Sequence, residues 1–242
     1  MEMFMVGGYV RDELLGVPSK DIDFTVVLGV DDLLDSATCI SPFRIMVHKL
    51  ESLGFTIFLE TPEFLTVRAK FPKGHEHAKL TADFVLARKE SDYTDGRRPD
   101  VVEPGTLLMD LQRRDFTFNA IAKAADGTLI DPFNGQRDIK ARIIRAVGDP
   151  RERFEEDALR IVRAMRFSVT KGFEIDPRTR RAMNDLSHTV AGVSAERVRE
   201  ELTKMFNADP FKTIVVLGIF NMFHIIFDMG INFQPTLRDR IR

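Results

Sequence analysis

A glycine pair and two closely spaced acids within the first 24 residues constrain this chain most. Met5-Val6 is a short apolar lead into Gly7-Gly8. A helix-prone run from Val10 to Leu15 follows, and Gly16 with Pro18 bars its continuation. Asp21-Ile-Asp-Phe-Thr-Val-Val then reads as a strand. Alternate strand residues share a face, so Asp21 and Asp23 point one way while Ile22 and Phe24 point to an apolar side. Two carboxylates so placed repel each other unless cations sit between them. Hard cations with oxygen ligands meet that need, and Mg²⁺ is the usual one where phosphates share the site. Glycines ahead of a helix start offer backbone N–H groups to an anion such as a triphosphate. Taken singly, Gly-Gly is a common turn and Asp-x-Asp a common solvated surface pair; the strand–Gly-Gly–helix–strand order makes the combination specific.

At 242 residues the chain has room for one large or two small domains. No apolar run reaches 18 residues, which argues against a membrane span. The N-terminus lacks a basic region followed by an apolar core, which argues against a signal peptide. The single cysteine, Cys39, admits no internal disulfide and fits a reducing compartment. These features predict a cytoplasmic protein. A net charge of −2 does not announce a nucleic-acid binder, so any RNA contact must come from local basic patches.

Downstream, Pro42 to Leu53 has helical spacing, with Phe43, Met46, Val47 and Leu50 on one side. Strand-like runs follow at Phe55–Leu59, Phe64–Phe71 and Leu80–Ala87. His75 and His77, between the last two, read as a hairpin tip, since two histidines without further ligands make a poor metal site. Asp83 stands in an otherwise apolar run, and an unpaired buried carboxylate is costly. It reads as a third carboxylate beside the Asp21/Asp23 strand, or else as a salt-bridge partner of Arg88. Ser91 to Pro104 is loop-like. Arg113-Arg114-Asp115 precedes a predicted helix start at Asp115 and Thr117, with Phe116, Ala120 and Ile121 buried. Two arginines beside an acid can hold phosphate and fix a ribose hydroxyl.

From Asp149 the chain turns helical, with Phe154, Ala158, Ile161, Val162 and Met165 on one face. Asp157 and Arg160 are three apart, so an exposed ion pair between them is the plain reading. The sharper one has the acid accept from an exocyclic amine while the arginine donates to the ring edge, reading C or, slightly rotated, A. Helices are predicted from Ile175-Asp-Pro177 to about Leu186 and after an N-cap at Ser194. Two more, packed together, are predicted within Phe211–Ile231. Arginines between Arg137 and Arg181 would give a basic surface for an RNA 3′ end.

In this order the motifs resemble the class II tRNA nucleotidyltransferases (CCA-adding enzymes) and bacterial poly(A) polymerases, of the DNA polymerase beta-like superfamily. Carrying the resemblance are Gly7-Gly8 with Arg11, Asp21-x-Asp23, Asp83 followed by Arg88, Glu90 and Tyr93, and Arg113-Arg114-Asp115-Phe-Thr-x-Asn119-Ala. Further along come Asp131-Pro-Phe-x-Gly135-x-x-Asp138, Glu156-Asp157-x-x-Arg160 and Ser194-x-Glu196-Arg197-x-x-x-Glu201-Leu. The resemblance implies an α+β fold. A nucleotidyltransferase head with a small mixed sheet, residues 1–148, would precede an all-helical neck and partial body, residues 149–242. It reaches about residue 230, whereas family members continue into further body and tail domains, so the chain reads as a compact form. Implied catalytic residues are Asp21, Asp23 and Asp83, the first two holding Mg²⁺. Implied nucleotide contacts are Gly7, Gly8, Arg11, Arg113, Arg114, Asp115, Asn119, Asp157, Arg160 and Arg163. The last motif would brace the base-reading helix, and the 91–104 loop would favour competence for A. The implied activity is untemplated addition of C and A to tRNA 3′ ends from CTP and ATP. Alternatives are a poly(A) polymerase or A-only adder, and a non-catalytic RNA- or nucleotide-binding protein.

Overall fold

The structure, a computed structural model, describes residues 1–19, 21–34, 41–91 and 101–231. Cys39, Tyr93, Asp95, Arg97 and Arg98 lie outside the described residues, as does most of the loop expected to bear on competence for A. The chain divides into two compact units, Met1–Asp149 and Pro150–Arg242.

The first unit is built on a seven-stranded mixed sheet. In chain order its elements begin β1 (Glu2–Val6), α1 (Gly8–Leu14), β2 (Ile22–Val27), α2 (Val30–Leu34) and α3 (Pro42–Ser52). Next come β3 (Thr56–Thr61), β4 (Thr66–Lys70), β5 (Thr81–Leu86) and a separate two-stranded pair, β6 (Arg88–Ser91) with β7 (Val101–Pro104). α4 (Leu107–Gln112), β8 (Ala122–Lys123), β9 (Leu129–Ile130) and α5 (Gly135–Ala141) follow, and then a two-residue strand, Ile143–Ile144. The sheet order is β3-β4-β5-β2-β1-β8-β9. β2 runs antiparallel to β1 and parallel to β5.

Two-residue alternation separates the two faces of this sheet. Ile22 and Val26 of β2, Val67 and Ala69 of β4, and Ala82, Phe84 and Leu86 of β5 pack with Phe43, Met46, Val47 and Leu50 of α3. Phe24 stacks on Phe84 with ring centroids 4.9 Å apart on the same side. Phe4 and Val6 of β1 join a second cluster with Leu111, Ala120, Ala122 and Val147. The intervening residues of β2, β4 and β5, namely Asp23 and Thr25, Arg68 and Asp83, share the face opposite α3.

Local chemistry moves two boundaries. Pro62–Phe64 forms a 3₁₀ turn closed by Leu65 at φ 53°, so β4 starts at Thr66 rather than Phe64. The helix predicted from Asp115 is a single 3₁₀ turn, Thr117–Asn119. Phe116 is held extended (φ −129°, ψ 151°) by a bridge to Ala146, and Thr117 N–H donates to the Arg145 carbonyl, so no helix can propagate there. The Asp131–Asp138 motif clamps this turn. Asp131 accepts from the N–H groups of Gly135 (2.6 Å) and Gln136 (2.9 Å), and buried Asp138 accepts from Thr117 Oγ1 (2.7 Å) and Arg145 Nε (3.0 Å).

The second unit is mainly helical: α6 (Pro150–Glu156), α7 (Leu159–Thr170), α8 (Pro177–Leu186), α9 (Ala195–Ala208), α10 (Pro210–Ile219) and α11 (Phe223–Asp228). α7 packs on α9 and α6 on α8. The residues expected to be buried are buried, including Phe154, Ala158, Ile161, Val162 and Met165. Asp176 caps α8 by accepting from Arg178 N–H (3.1 Å) and Thr179 N–H (3.2 Å). Ser194 occupies the N-cap position of α9, with no capping bond from its side chain. α10 packs mainly on α9 and α7, whereas α11 packs on the 3₁₀ segment Ser187–Gly192.

Gly135 is the tightest backbone contact near the 3₁₀ turn. A Cβ there would overlap the Thr117 carbonyl oxygen and lie 2.8 Å from Ile121 Cγ1. Gly135→Ala is expected to destabilise the first unit by about 1–3 kcal/mol, the cost of overpacking. Urea denaturation followed by circular dichroism measures it.

Candidate active site

Gly7 begins the site. Its backbone, at φ 68° and ψ −131°, is a conformation that favours glycine, and it turns β1 into α1. A Cβ at Gly7 would also lie 3.0 Å from Arg114 Nη1 and 3.5 Å from Asp23 Oδ2. The absent side chain therefore lets an arginine and a carboxylate approach the turn together. Val6 pairs with Asp23 across β1 and β2, and Asp23 pairs with Asp83 across β2 and β5. Asp21 lies just before β2 and is exposed; Asp23 and Asp83 are partly buried.

The electrostatics follow from this placement. Burial pushes the Asp23 carboxyl above its ordinary value, and the nearby Asp83 and Asp21 carboxylates push the same way. Arg114 and Arg68 oppose that rise without cancelling it. Asp83 is paired, although with Arg68 and not with Arg88. The two bonds, Nε to Oδ1 at 2.6 Å and Nη2 to Oδ2 at 2.7 Å, follow from direct pairing of the residues across β4 and β5. Arg88 instead donates to the Phe64 carbonyl. The under-compensated anion is thus Asp23, with Asp21 beside it. Such a carboxylate pair fits a hard divalent cation that takes its remaining ligands from water and phosphate. No cluster of three or more His, Cys, Asp or Glu suited to a metal occurs among the described residues. His75 and His77 pack against the ring of Phe71 instead.

Around the Gly7 turn the remaining predicted residues form one polar network. Arg11 is buried, donates to Asn119 Oδ1 (2.7 Å) and pairs with Asp12 (2.9 Å). Asn119 in turn donates to Asp115 Oδ1 (2.8 Å), which also accepts from the Phe116 N–H (2.8 Å). Gly8 lies beside Arg11, 3.5 Å separating its would-be Cβ from Nη2. Arg113 and Arg114 share one acceptor that sequence reading passed over, Asp110. Its side chain has no exposed surface and accepts from Arg113 (2.6 Å), Arg114 (3.0 Å) and Thr25 Oγ1 (2.8 Å). These partners hold the Asp110 carboxyl at about 2 despite its burial. The available signal was spacing: Asp110 precedes the two arginines by three and four residues, and Thr25 continues the Asp21, Asp23 alternation.

In the second unit no ion pair joins Asp157 to Arg160, so the plain reading of that spacing does not hold. The helix breaks between α6 and α7, and Asp157 sits in the break. It accepts from the Leu159 N–H (3.1 Å) and from Arg197 of α9 (2.8 Å). Arg160 donates to Glu156 (2.7 Å) and to the Arg153 carbonyl (3.0 Å). Each of the two is held by other neighbours and does not neutralise its counterpart. Arg163 lies 5.8 Å from the Phe167 ring centroid and adds to the field that lowers the Glu201 carboxyl.

Comparison with known proteins places this geometry in context. A family model described as "Poly A polymerase head domain" matches residues 3–145, and one described as "Probable RNA and SrmB- binding site of polymerase A" matches residues 172–229. The CCA-adding enzyme of Lactococcus lactis subsp. cremoris is 41% identical over 219 residues, 90% of this chain and 50% of that protein. The crystal structure of the Bacillus stearothermophilus CCA-adding enzyme in complex with CTP aligns with a TM-score of 0.73 at 31% identity, over 93% of this chain and 49% of that one. The Thermotoga maritima CCA-adding enzyme complexed with tRNA aligns with a TM-score of 0.72 at 28% identity, over 97% and 50%. The chain thus spans about half the length of these relatives. With well over half of its residues matched by the head-domain model, the chain belongs to the poly A polymerase head-domain family.

Proposed function

We propose that this chain extends RNA 3′ ends without a nucleic-acid template, adding C and A to tRNA from CTP and ATP, with residues 1–148 as nucleotidyltransferase head and 149–242 as base-reading and RNA-binding neck. The observation that carries the reading is the meeting of Gly7, Arg114 and the under-compensated Asp23 at one turn. The similarity to CCA-adding enzymes supports the choice of RNA and nucleotides. No described helix is long and apolar enough to cross a membrane.

In this reading Gly7, Gly8, Arg11, Arg113 and Arg114 orient the triphosphate, and Asp115 and Asn119 fix the sugar. The RNA 3′ oxygen bonds to the α-phosphorus, the bond to the bridging oxygen of the departing pyrophosphate breaks, and the hydroxyl proton passes to solvent. Mg²⁺ held by Asp21 and Asp23, with Asp83 in support, would neutralise charge on the attacking and leaving oxygens. Base choice falls to Asp157 and Arg160, with Arg163 adding positive charge. A carboxylate has about four acceptor sites, and Asp157 has three engaged by Leu159 and Arg197, which leaves one for an exocyclic amine.

The direct test offers ATP and CTP, separately and together, to tRNAs ending before CCA, after C and after CC. Growth that stops at CCA is expected; a long A ladder would indicate poly(A) synthesis, and nucleotide binding without turnover a non-catalytic protein. Asp23→Ala should abolish incorporation with the circular dichroism spectrum unchanged.

The raised Asp23 carboxyl sets the sign of a pH effect. It holds a proton to higher pH than an ordinary aspartate, and binding a cation must release that proton. Divalent-cation affinity, measured by calorimetry, should therefore fall as pH drops through that raised range. In Asp23→Asn the binding should be weaker and this pH dependence largely lost.

Arg197→Ala frees the Asp157 carboxylate from α9. It should reduce discrimination among the four nucleoside triphosphates by roughly 10–100-fold, as expected for a bidentate base contact. Misincorporation ratios read this directly.

A further inference from the structure

Arg114 occupies a demanding position. Its Nη1 limits the space above Gly7, its Nη2 reaches Asp110 and Thr25, and its guanidinium is one of the two cations opposing the raised Asp23 carboxyl. Yet its Nε is a buried donor with no acceptor among the described residues. A buried donor left unmatched is unfavourable, so other bonds must hold the side chain there. The Nη1 bond to the Asn119 carbonyl is long, at 3.5 Å, and the Nη2 bond to Thr25 Oγ1 is 3.3 Å. The charged contact to Asp110, at 3.0 Å, is the shortest and strongest of those holding the Arg114 head group.

Asp110 can impose that position because it is itself fixed. Its side chain is fully buried, Thr25 Oγ1 ties it to β2, and Arg113 satisfies its second oxygen through Nε (3.0 Å) and Nη2 (2.6 Å). Thr25 is two residues from Asp23 on the same strand face. Asp110 therefore measures the place of Arg114 against the strand that carries Asp23.

We infer that Asp110 is a positioning residue for nucleotide transfer: through Arg114 it fixes where the triphosphate lies relative to Asp23. The inference rests on the nucleotidyltransferase reading above. Asp110 touches no substrate; it sets the register between the cationic and anionic halves of the site. Asn in its place has nearly the same shape but lacks the charge, so Arg114 loses its strongest anchor.

The test is a double-mutant cycle on nucleotide incorporation. Asp110→Asn should lower kcat/KM for the incoming nucleotide by about 10–100-fold, the worth of one hydrogen bond between charged groups. In an Arg114→Ala background the same change should cost less than about twofold, because the residue through which it acts is gone. A residue needed only for folding would show equal losses in both backgrounds, and that result overturns the inference, as does undiminished kcat/KM in Asp110→Asn. If Asp110→Asn fails to fold, Thr25→Val serves: it removes the 2.8 Å tie of Asp110 to β2 together with the longer 3.3 Å bond from Arg114, and leaves the Asp110 carboxylate in place. It should show a smaller loss with the same non-additivity; additivity there overturns the inference equally. A wild-type chain that binds ATP or CTP but does not incorporate them refutes the reaction alone, and the cycle is then read on nucleotide affinity. A chain that binds neither nucleotide refutes both.

Discussion

The alternation of β2 is the constraint on which the first unit depends. Ile22, Phe24 and Val26 pack with α3, and that packing leaves Asp23 and Thr25 no choice of face. A one-residue slip would send the acids into the core and the apolar residues to the site. The hydrophobic effect that stabilises the sheet thus also aims its carboxylates. Pairing across β1, β2, β5 and β4 then sets Val6, Asp23, Asp83 and Arg68 in one row. The row begins beside Gly7, so the glycine turn and the acidic strand share a single register.

Much of this was legible in the sequence because it follows from short periods. The two-residue period of Asp21-x-Asp23, the helical stripe of Phe43, Met46, Val47 and Leu50, and the glycine pair each encode local geometry. What escaped was non-local. The extended backbone at Phe116 depends on Ala146, thirty residues away, so the signals at Asp115 and Thr117 pointed to a helix that their distant partners forbid. The partner of Asp83 turned on which residue of β4 faces it, and sequence distance favoured Arg88 over Arg68. Asp110 was passed over because an acid one helical turn before two arginines is commonplace until its burial is known.

The two units handle charge in different ways. In the first, one fully buried carboxylate is satisfied by two arginines and a hydroxyl, and it stays ionised because all three favour the charged form. Asp23 has the opposite balance, with burial and like charges outweighing its cations. Asp23 of β2 and Asp110, tied to β2 through Thr25, therefore have carboxyls displaced in opposite directions. In the second unit Asp157 stands at a helix break and is held across to α9 by Arg197, so its direction is set by tertiary contact and not by helical spacing.

The Arg68–Asp83 bridge has a consequence for how readily the site changes hands. Both side chains are substantially solvent-accessible, at 49% and 26%. Exposed ion pairs contribute about 0–1 kcal/mol, and the two parallel bonds of this one put it toward the upper end of that range. Breaking this one is therefore cheap, and the freed arginine has water or a phosphate oxygen as an alternative partner. Asp83 is thus held by a partner for which any other anion near the strand face can compete.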